Sequence, residues 1–295
     1  MDRTTLVYRG GAAVARTLPA PVAFRAADLG GRLVSRLSPG QRRQVERNLR
    51  RVLGPGLSGG RLDRLVADTF AAYARYWAES ARLPAMTDAE VDVGFTYDGF
   101  GHIEDAMASG VGPILALPHL GGWEWAGMWL ARVAGYPVYA VVEPQEPPEL
   151  FEWMIEYREA FGLHVVPLGP KVAPELLRIL RSGSVLCLLC DRDIGGGGVE
   201  VEFFGERTTL PGGPATLSLR TGAAILPTAV YHVPGGTHGV VRPPVTIERT
   251  GRLRDDVVAL TQAVTRELEA LIRAAPQQWH VMQPNWPSDH VPGVR

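Results

Sequence analysis

From residue 91 onward the sequence alternates short apolar runs with amphipathic stretches, and that alternation most narrows the folds open to it. Residues 91–97, 114–117, 138–142, 164–167 and 185–190 read as strands, and 100–109, 123–134, 148–161 and 174–181 as the helices between them. Repeated strand–helix units predict an α/β fold: a mostly parallel central sheet flanked by helices on both faces. Residues 199–204 read as a further strand or as an arm over the site, and 214–221 as a short helix. Residues 224–231 and 240–248 read as late strands, antiparallel across Gly235-Gly236, and 253–275 as a long amphipathic helix.

Residues 1–84 carry a different pattern. Stretches 5–18, 22–37, 39–53 and 61–83 have helical spacing, broken at Pro19, Pro21, Gly54, Pro55 and Pro84. Ser38-Pro39-Gly40-Gln41 reads as a helix start, with Ser38 as cap. Leu62, Leu65, Val66, Phe70, Tyr73, Tyr76 and Trp77 form one stripe, expected in the core. The reading is a single domain over 1–295: an N-terminal, membrane-interacting helical layer (1–84) on an α/β catalytic core (85–295).

Charge supports the membrane part of that reading. The chain has a net charge of −1, which argues against wholesale nucleic-acid binding. Yet residues 1–64 hold 13 Arg against 4 acidic residues, among Leu6, Val7, Tyr8, Val14, Leu18, Val22 and Phe24. That composition suits an anionic membrane surface, at about 1 kcal/mol per basic residue near it. Ordinary solvated arginine faces would look the same. No run reaches the ~18 apolar residues of a membrane span, and no signal-peptide pattern opens the chain. The expectation is a peripheral protein on the cytoplasmic face of the cell membrane. Cys187 and Cys190 lie three apart on one apparent strand, on opposite faces, with no second pair to complete a zinc site. They read as core thiols, and no metal is expected.

The chemistry concentrates at 112–127, Gly-Pro-Ile-Leu-Ala-Leu-Pro-His119-Leu-Gly-Gly-Trp-Glu124-Trp-Ala-Gly. His119 stands where a strand stops, and Glu124 in the first turn of the next helix. Ligands of open α/β sheets bind at that edge. An imidazole is suited to take a proton near pH 7, and a carboxylate can fix its tautomer. With no nucleophile between them, the pair would activate a substrate hydroxyl directly, while amides near Gly121 and Gly122 hold a developing oxyanion. A backbone-bonded His and a solvated helix-start Glu are the plain alternative. Asp191 and Asp193 end another strand before Gly195–Gly198. If that strand is parallel to 114–117, one of them can support His119 from the same edge; a turn-capping Asp is the alternative. Glu200 and Glu202 are weaker candidates on a strand's polar face. Pro211-Gly-Gly-Pro214 offers helix-start amides suited to a pyrophosphate.

His119-x4-Glu124 after an apolar strand resembles the His-x4-Asp/Glu signature of the glycerolipid acyltransferase superfamily. Asn48-Leu49-Arg50-Arg51-Val52, Asp191-Arg192-Asp193 with Gly195–Gly198 and 199–205, and Pro211–Ala215 with Thr221-Gly222-Ala223 and Leu226-Pro227 resemble further blocks of one branch. That branch holds the late acyltransferases of lipid A and their actinobacterial relatives acting on phosphatidylinositol mannosides. The resemblance covers roughly residues 5–285 and favours Asp191 over Asp193. It matches Arg158 to a family arginine, able to grip a headgroup or donor phosphates; a surface arginine paired with a nearby Glu is the alternative, and Arg220 has the same two readings. It implies a transfer of a palmitoyl-type chain from acyl-CoA, a substrate and not a cofactor, to a glycolipid hydroxyl, with no metal and no acyl-enzyme. His119 would be the base, supported by Glu124 and Asp191 or Asp193. Other outcomes are a lipid A-like or lysophospholipid acceptor with acyl carrier protein as donor, or a non-catalytic lipid-binding protein. His280 falls in a tail block shared with the family and reads as structural.

Overall fold

Prolines set the N-terminal layer. The computed structural model describes residues 3–290, and the side chains of Arg3, Thr4 and Val7 lie outside the description. Helices α1 (Arg3–Thr17), α2 (Ala20–Leu37), α3 (Pro39–Leu53) and α4 (Gly59–Arg82) come first. Pro19 stands at the start of α2 and Pro39 at the first position of α3, where a missing N–H is no loss. Ser38 does not cap α3 with its side chain as expected. Instead its amide donates to Val34 O and closes α2, because the two helices share this one residue as a joint.

The stripe on α4 divides. Leu62, Val66 and Phe70 bury with Val45 and Leu49 of α3 and Met282 of the C-terminal tail. Tyr73, Tyr76 and Trp77 continue the stripe but wall the central cleft, so the expected core face is in part a cleft wall. On α1 and α2, Leu6, Val14, Val22, Leu29, Leu33 and Leu37 are exposed.

Residues 91–97 are not one strand. Thr87 and Glu90 form a reciprocal capping box, which turns the chain into helix α5 (Asp88–Val93) before strand β1 (Phe95–Asp98). Then follow α6 (Gly101–Ala108), β2 (Ile114–Leu117), α7 (Trp123–Arg132), β3 (Val138–Val142), α8 (Pro148–Glu159), β4 (Leu163–Pro167), α9 (Ala173–Arg181) and β5 (Val185–Leu189). A hairpin of β6 (Val199–Phe203) and β7 (Glu206–Leu210) leads to α10 (Gly213–Thr221), β8 (Ile225–Val233), β9 (Gly236–Val241) and α11 (Leu253–Ala274). The second hairpin strand was not expected. Its two-residue turn has positive φ at both Phe204 and Gly205, the geometry that suits tight hairpins.

Among the described residues the sheet has the order β1-β9-β8-β2-β5-β3-β4. Its pairs are parallel except β8 with β9, which are antiparallel across the turn at Gly235. The last strand ends at Val241 and not near residue 248, because Pro243 and Pro244 cannot continue a ladder. Strand β2 lies at the centre and is buried along its length. Its side chains alternate between two cores. Ile114 and Ala116 join residues of α9, α10 and α11; Leu115 and Leu117 join Trp125, Met128 and Trp129 of α7. Fully burying each such large side chain contributes about 1.5–3 kcal/mol. The same alternation sends Cys187 to one core and Cys190 to the other. Burial pushes the Cys187 thiol up to about 12 and raises Cys190 as well, which disfavours the thiolate at both. Among the described residues no helix is long and apolar enough to cross a membrane.

Candidate active site

Register brings the site together. Leu117 of β2 faces Leu189 of β5 in the parallel ladder, so the residues two further on, His119 and Asp191, leave the sheet side by side. His119 Nδ1 lies 2.6 Å from Asp191 Oδ1, and the His119 amide donates to Asp191 Oδ2 at 2.8 Å. A carboxylate can only accept, so Nδ1 carries the proton and Nε2 is left as the base. The Asp191 side chain is fully buried while the His119 ring is 26% exposed and lines the cleft.

Two residues that the sequence reading missed complete the aspartate's surroundings. Trp279 Nε1 donates to Asp191 Oδ2 at 2.7 Å, and Asn285 Nδ2 donates to the Asp191 carbonyl at 2.8 Å. Burial alone would raise the Asp191 pKa; the His119 ring, the Trp279 indole and the His119 amide outweigh it and hold the carboxyl below its ordinary value. Both residues sit on the C-terminal tail. Asn48 holds that tail through Val281 O at 2.8 Å, and Arg51 and Gln44 hold it through the Asp289 carboxylate at 2.8 Å each. The Asn48–Arg51 block therefore acts on the site through the tail. His280, also on the tail, donates its amide to His119 O at 2.7 Å and lines the cleft between Tyr73 and Tyr76. Burial, then the neighbouring His232 and His119, hold its imidazole well below the usual histidine range.

Glu124 does not reach His119: among the described residues no hydrogen bond or ion pair joins them. Glu124 is buried against Arg158 of α8, whose Nε and Nη2 lie 2.8 and 2.6 Å from Glu124 Oε1. Glu124 stands buried in the first turn of α7, where Arg158 neutralises it. Arg158 is 6% exposed, so it is not the surface arginine of the plain alternative, and its charge is already matched. Burial works against the guanidinium, but the Glu124 carboxylate outweighs it and raises its pKa.

Among the described residues no hydrogen bond or ion pair joins Asp193 to His119 either. It accepts from the Gly196 and Gly198 amides at 3.0 and 2.8 Å and from Thr209 Oγ1 at 2.8 Å, so it ties the glycine loop to β7 on the cleft wall. Glu200 faces outward 3.4 Å from Arg207 and does not line the cleft of His119. Arg220 is exposed at the end of α10 and also lies off the cleft, because the last turn of that helix faces solvent.

The glycine turn is forced. Gly121 has φ +59, and a Cβ there would collide with the Val230 carbonyl; one at Gly122 would collide with the Glu79 carboxylate. The Gly121 amide is not open to an oxyanion, since it donates to Gln278 O at 3.1 Å. The Gly122 and Trp123 amides, at the start of α7, have no acceptor among the described residues.

The cleft is about 820 Å³. Apolar residues of β3, α8, α9 and β5 form one side, including Ala140, Val142, Leu150, Leu176 and Leu188. The start of α10, from Pro211 to Pro214, and half-buried Arg192 form another. Arg192 has no ion-pair partner among the described residues. The arrangement can deprotonate a hydroxyl at His119 Nε2 with a long apolar group and a phosphate alongside.

A sequence profile described as "Bacterial lipid A biosynthesis acyltransferase" matches residues 3–288. A phosphatidylinositol mannoside acyltransferase of Mycobacterium tuberculosis is 38% identical over 97% of this chain and 89% of its own length. One from Mycolicibacterium smegmatis is 36% identical over 97% of this chain and 92% of its own. A lipid A biosynthesis acyltransferase of Haemophilus influenzae is 30% identical over 61% of this chain and 55% of its own length.

Proposed function

This chain belongs to the bacterial lipid A biosynthesis acyltransferase family and is an acyltransferase, and on that premise we propose that it moves a long acyl chain from acyl-CoA to a mannose hydroxyl of a phosphatidylinositol mannoside. In this reading His119 Nε2 takes the proton of the hydroxyl as its oxygen attacks the thioester carbonyl. Asp191 holds the ring and stabilises the imidazolium, and Trp279 and Asn285 hold Asp191. The Gly122 and Trp123 amides receive the oxyanion in place of the Gly121 amide. The tetrahedral intermediate collapses, the carbon–sulfur bond breaks, and His119 returns the proton to the leaving thiolate. Arg192 and the start of α10 hold donor phosphates. The acyl chain lies along the apolar side of the cleft. The basic, apolar face of α1 and α2 holds the protein on an anionic membrane surface, on the cytoplasmic side.

The His119–Asp191 pair, with the His119 ring on the wall of a cleft that has a long apolar side, is the observation that carries this reading. It is tested with purified protein, palmitoyl-CoA and vesicles containing mannosylated phosphatidylinositol. Acylated mannolipid is expected from the wild type and not from His119→Ala. Transfer by His119→Ala near the wild-type rate overturns the assignment, and a preference for acyl carrier protein over CoA overturns the donor.

A further inference from the structure

A second cavity, of about 320 Å³, lies among α1, α2, α4 and α8. Gly11, Ala15, Ala27, Ala78 and Ala81 keep it open, and among the described residues that line it Glu124 and Arg158 are the charged ones. It shares Tyr8, Trp77, Met154 and Arg158 with the cleft of His119, so the two spaces are separated by one layer of side chains. Glu124 and Arg158 satisfy each other only in part. Glu124 Oε2 and Arg158 Nη1 are buried without a hydrogen-bond partner, although both groups are charged. Buried polar atoms are rarely left this way, and these two offer one acceptor and one donor beside an apolar chamber.

We infer that this cavity binds one existing acyl chain of the acceptor lipid, with the ester carbonyl of that chain accepting from Arg158 Nη1 and a neighbouring hydroxyl donating to Glu124 Oε2. The inference rests on the proposed bilayer-borne glycolipid acceptor. The donor is a water-soluble thioester whose carbonyl must reach His119 Nε2, and the cleft beside His119 has its own apolar side for that chain. The acceptor starts in the bilayer. Val14 lines the second cavity and is 58% exposed, and Leu6, Val22, Leu29 and Leu33 are exposed on the same two helices. A chain drawn from the bilayer meets this wall before it meets the cleft. Holding it there would bring the headgroup to the shared wall with its sugar toward His119, so the membrane layer would select the acceptor and the sheet edge would perform the transfer.

The experiment has two arms, each with wild type and Ala15→Phe, which fills the cavity from α1; Ala27→Leu, a smaller filling from α2, is run beside it to guard against misfolding. The first arm is independent of chemistry. Trp77 and Trp153 both line the cavity, so vesicles whose phosphatidylinositol carries brominated acyl chains should quench wild-type fluorescence. Ala15→Phe and Ala27→Leu should lose much of that quenching while still floating with the vesicles. Equal quenching in wild type and variants overturns the inference. The second arm compares vesicle-borne mannosylated phosphatidylinositol with its deacylated, water-soluble headgroup. KM for the vesicle-borne acceptor should rise about tenfold in Ala15→Phe, with transfer to the soluble headgroup unchanged. An equal loss on both acceptors would assign the cavity to the donor chain and overturn the inference. If wild type transfers to neither acceptor, the proposed function fails, and the quenching arm still decides the cavity.

Discussion

Two polar side-chain pairs stand a few residues apart and are built in opposite ways. In the His119–Asp191 pair every carboxylate oxygen is in a hydrogen bond, and the aspartate's own carbonyl is held by Asn285. In the Glu124–Arg158 pair one oxygen carries both contacts, and Oε2 and Nη1 are left unpartnered. The first arrangement fixes a ring to within a hydrogen bond's tolerance, as proton transfer requires. The second is an incomplete network, costly in an apolar surrounding unless something else completes it. A His and a Glu in one motif thus have different partners. The histidine takes its partner from the end of another strand, and the glutamate takes its partner from another helix.

The largest expected effect breaks the satisfied pair at its reactive end. His119→Ala should lower single-turnover acyl transfer by about 10⁴-fold, the upper range for losing a general base, with thermal unfolding close to wild type because the ring is partly exposed. Next is Asp191→Asn. An amide in that place favours the tautomer with the proton on Nε2, and transfer should fall by about 10³-fold. Its stability has a pH signature as well. The Asp191 pKa is lowered in the fold, so its contribution is present above the ordinary aspartate value and is lost as pH falls through the lowered one. Urea unfolding of wild type against Asp191→Asn across that acid range should converge as pH falls; curves that stay parallel would reject the contribution.

The partner of His119 is legible in the sequence. Residues 114–117 and 185–190 are apolar runs of the kind that pair in parallel, and a parallel ladder puts the two strand ends on one edge. What could not be read was the rotation of α7. Whether its first-turn carboxylate faces the strand end or the neighbouring helix depends on how α7 packs, and Arg158 is 34 residues away. Trp279 and Asn285 escaped for a related reason. They lie 88 and 94 residues from Asp191, in a tail without helical or strand periodicity, and only the tertiary fold shows what they touch. Helix α5 was different, since Thr87-x-x-Glu90 is a capping-box pattern present in the sequence. Val91 and Val93 are β-branched and suit a strand equally well, so residues 91–97 carry both patterns.

The incomplete pair is tested by removing one charge and then both. Arg158→Met leaves Glu124 buried and uncompensated and should destabilise the protein by about 3 kcal/mol in urea unfolding. Adding Glu124→Met should recover most of that loss, because two apolar side chains of similar length fill the space without an unpaired charge. If the double variant is as unstable as the single one, the pair holds the fold through geometry and not through mutual neutralisation. In both variants the His119–Asp191 contact is untouched, so the soluble deacylated headgroup should still be acylated.

The smallest effect concerns the two aspartates of one motif. Asp191 and Asp193 are two residues apart and were equal candidates from the residues alone, yet Asp193 bonds to two loop amides and one hydroxyl and never reaches the imidazole. Asp193→Ala removes those acceptors from a partly exposed loop, which should cost about 1 kcal/mol and loosen residues 195–198 at the cleft wall. The outcome expected is a raised KM for acyl-CoA, a kcat near wild type and an unchanged pH dependence of kcat. A charge acting on His119 would instead appear in kcat and in its pH profile. A displaced profile would therefore move Asp193 into the proton-transfer machinery, and an undisplaced one leaves Asp191 as the sole acidic support of the ring.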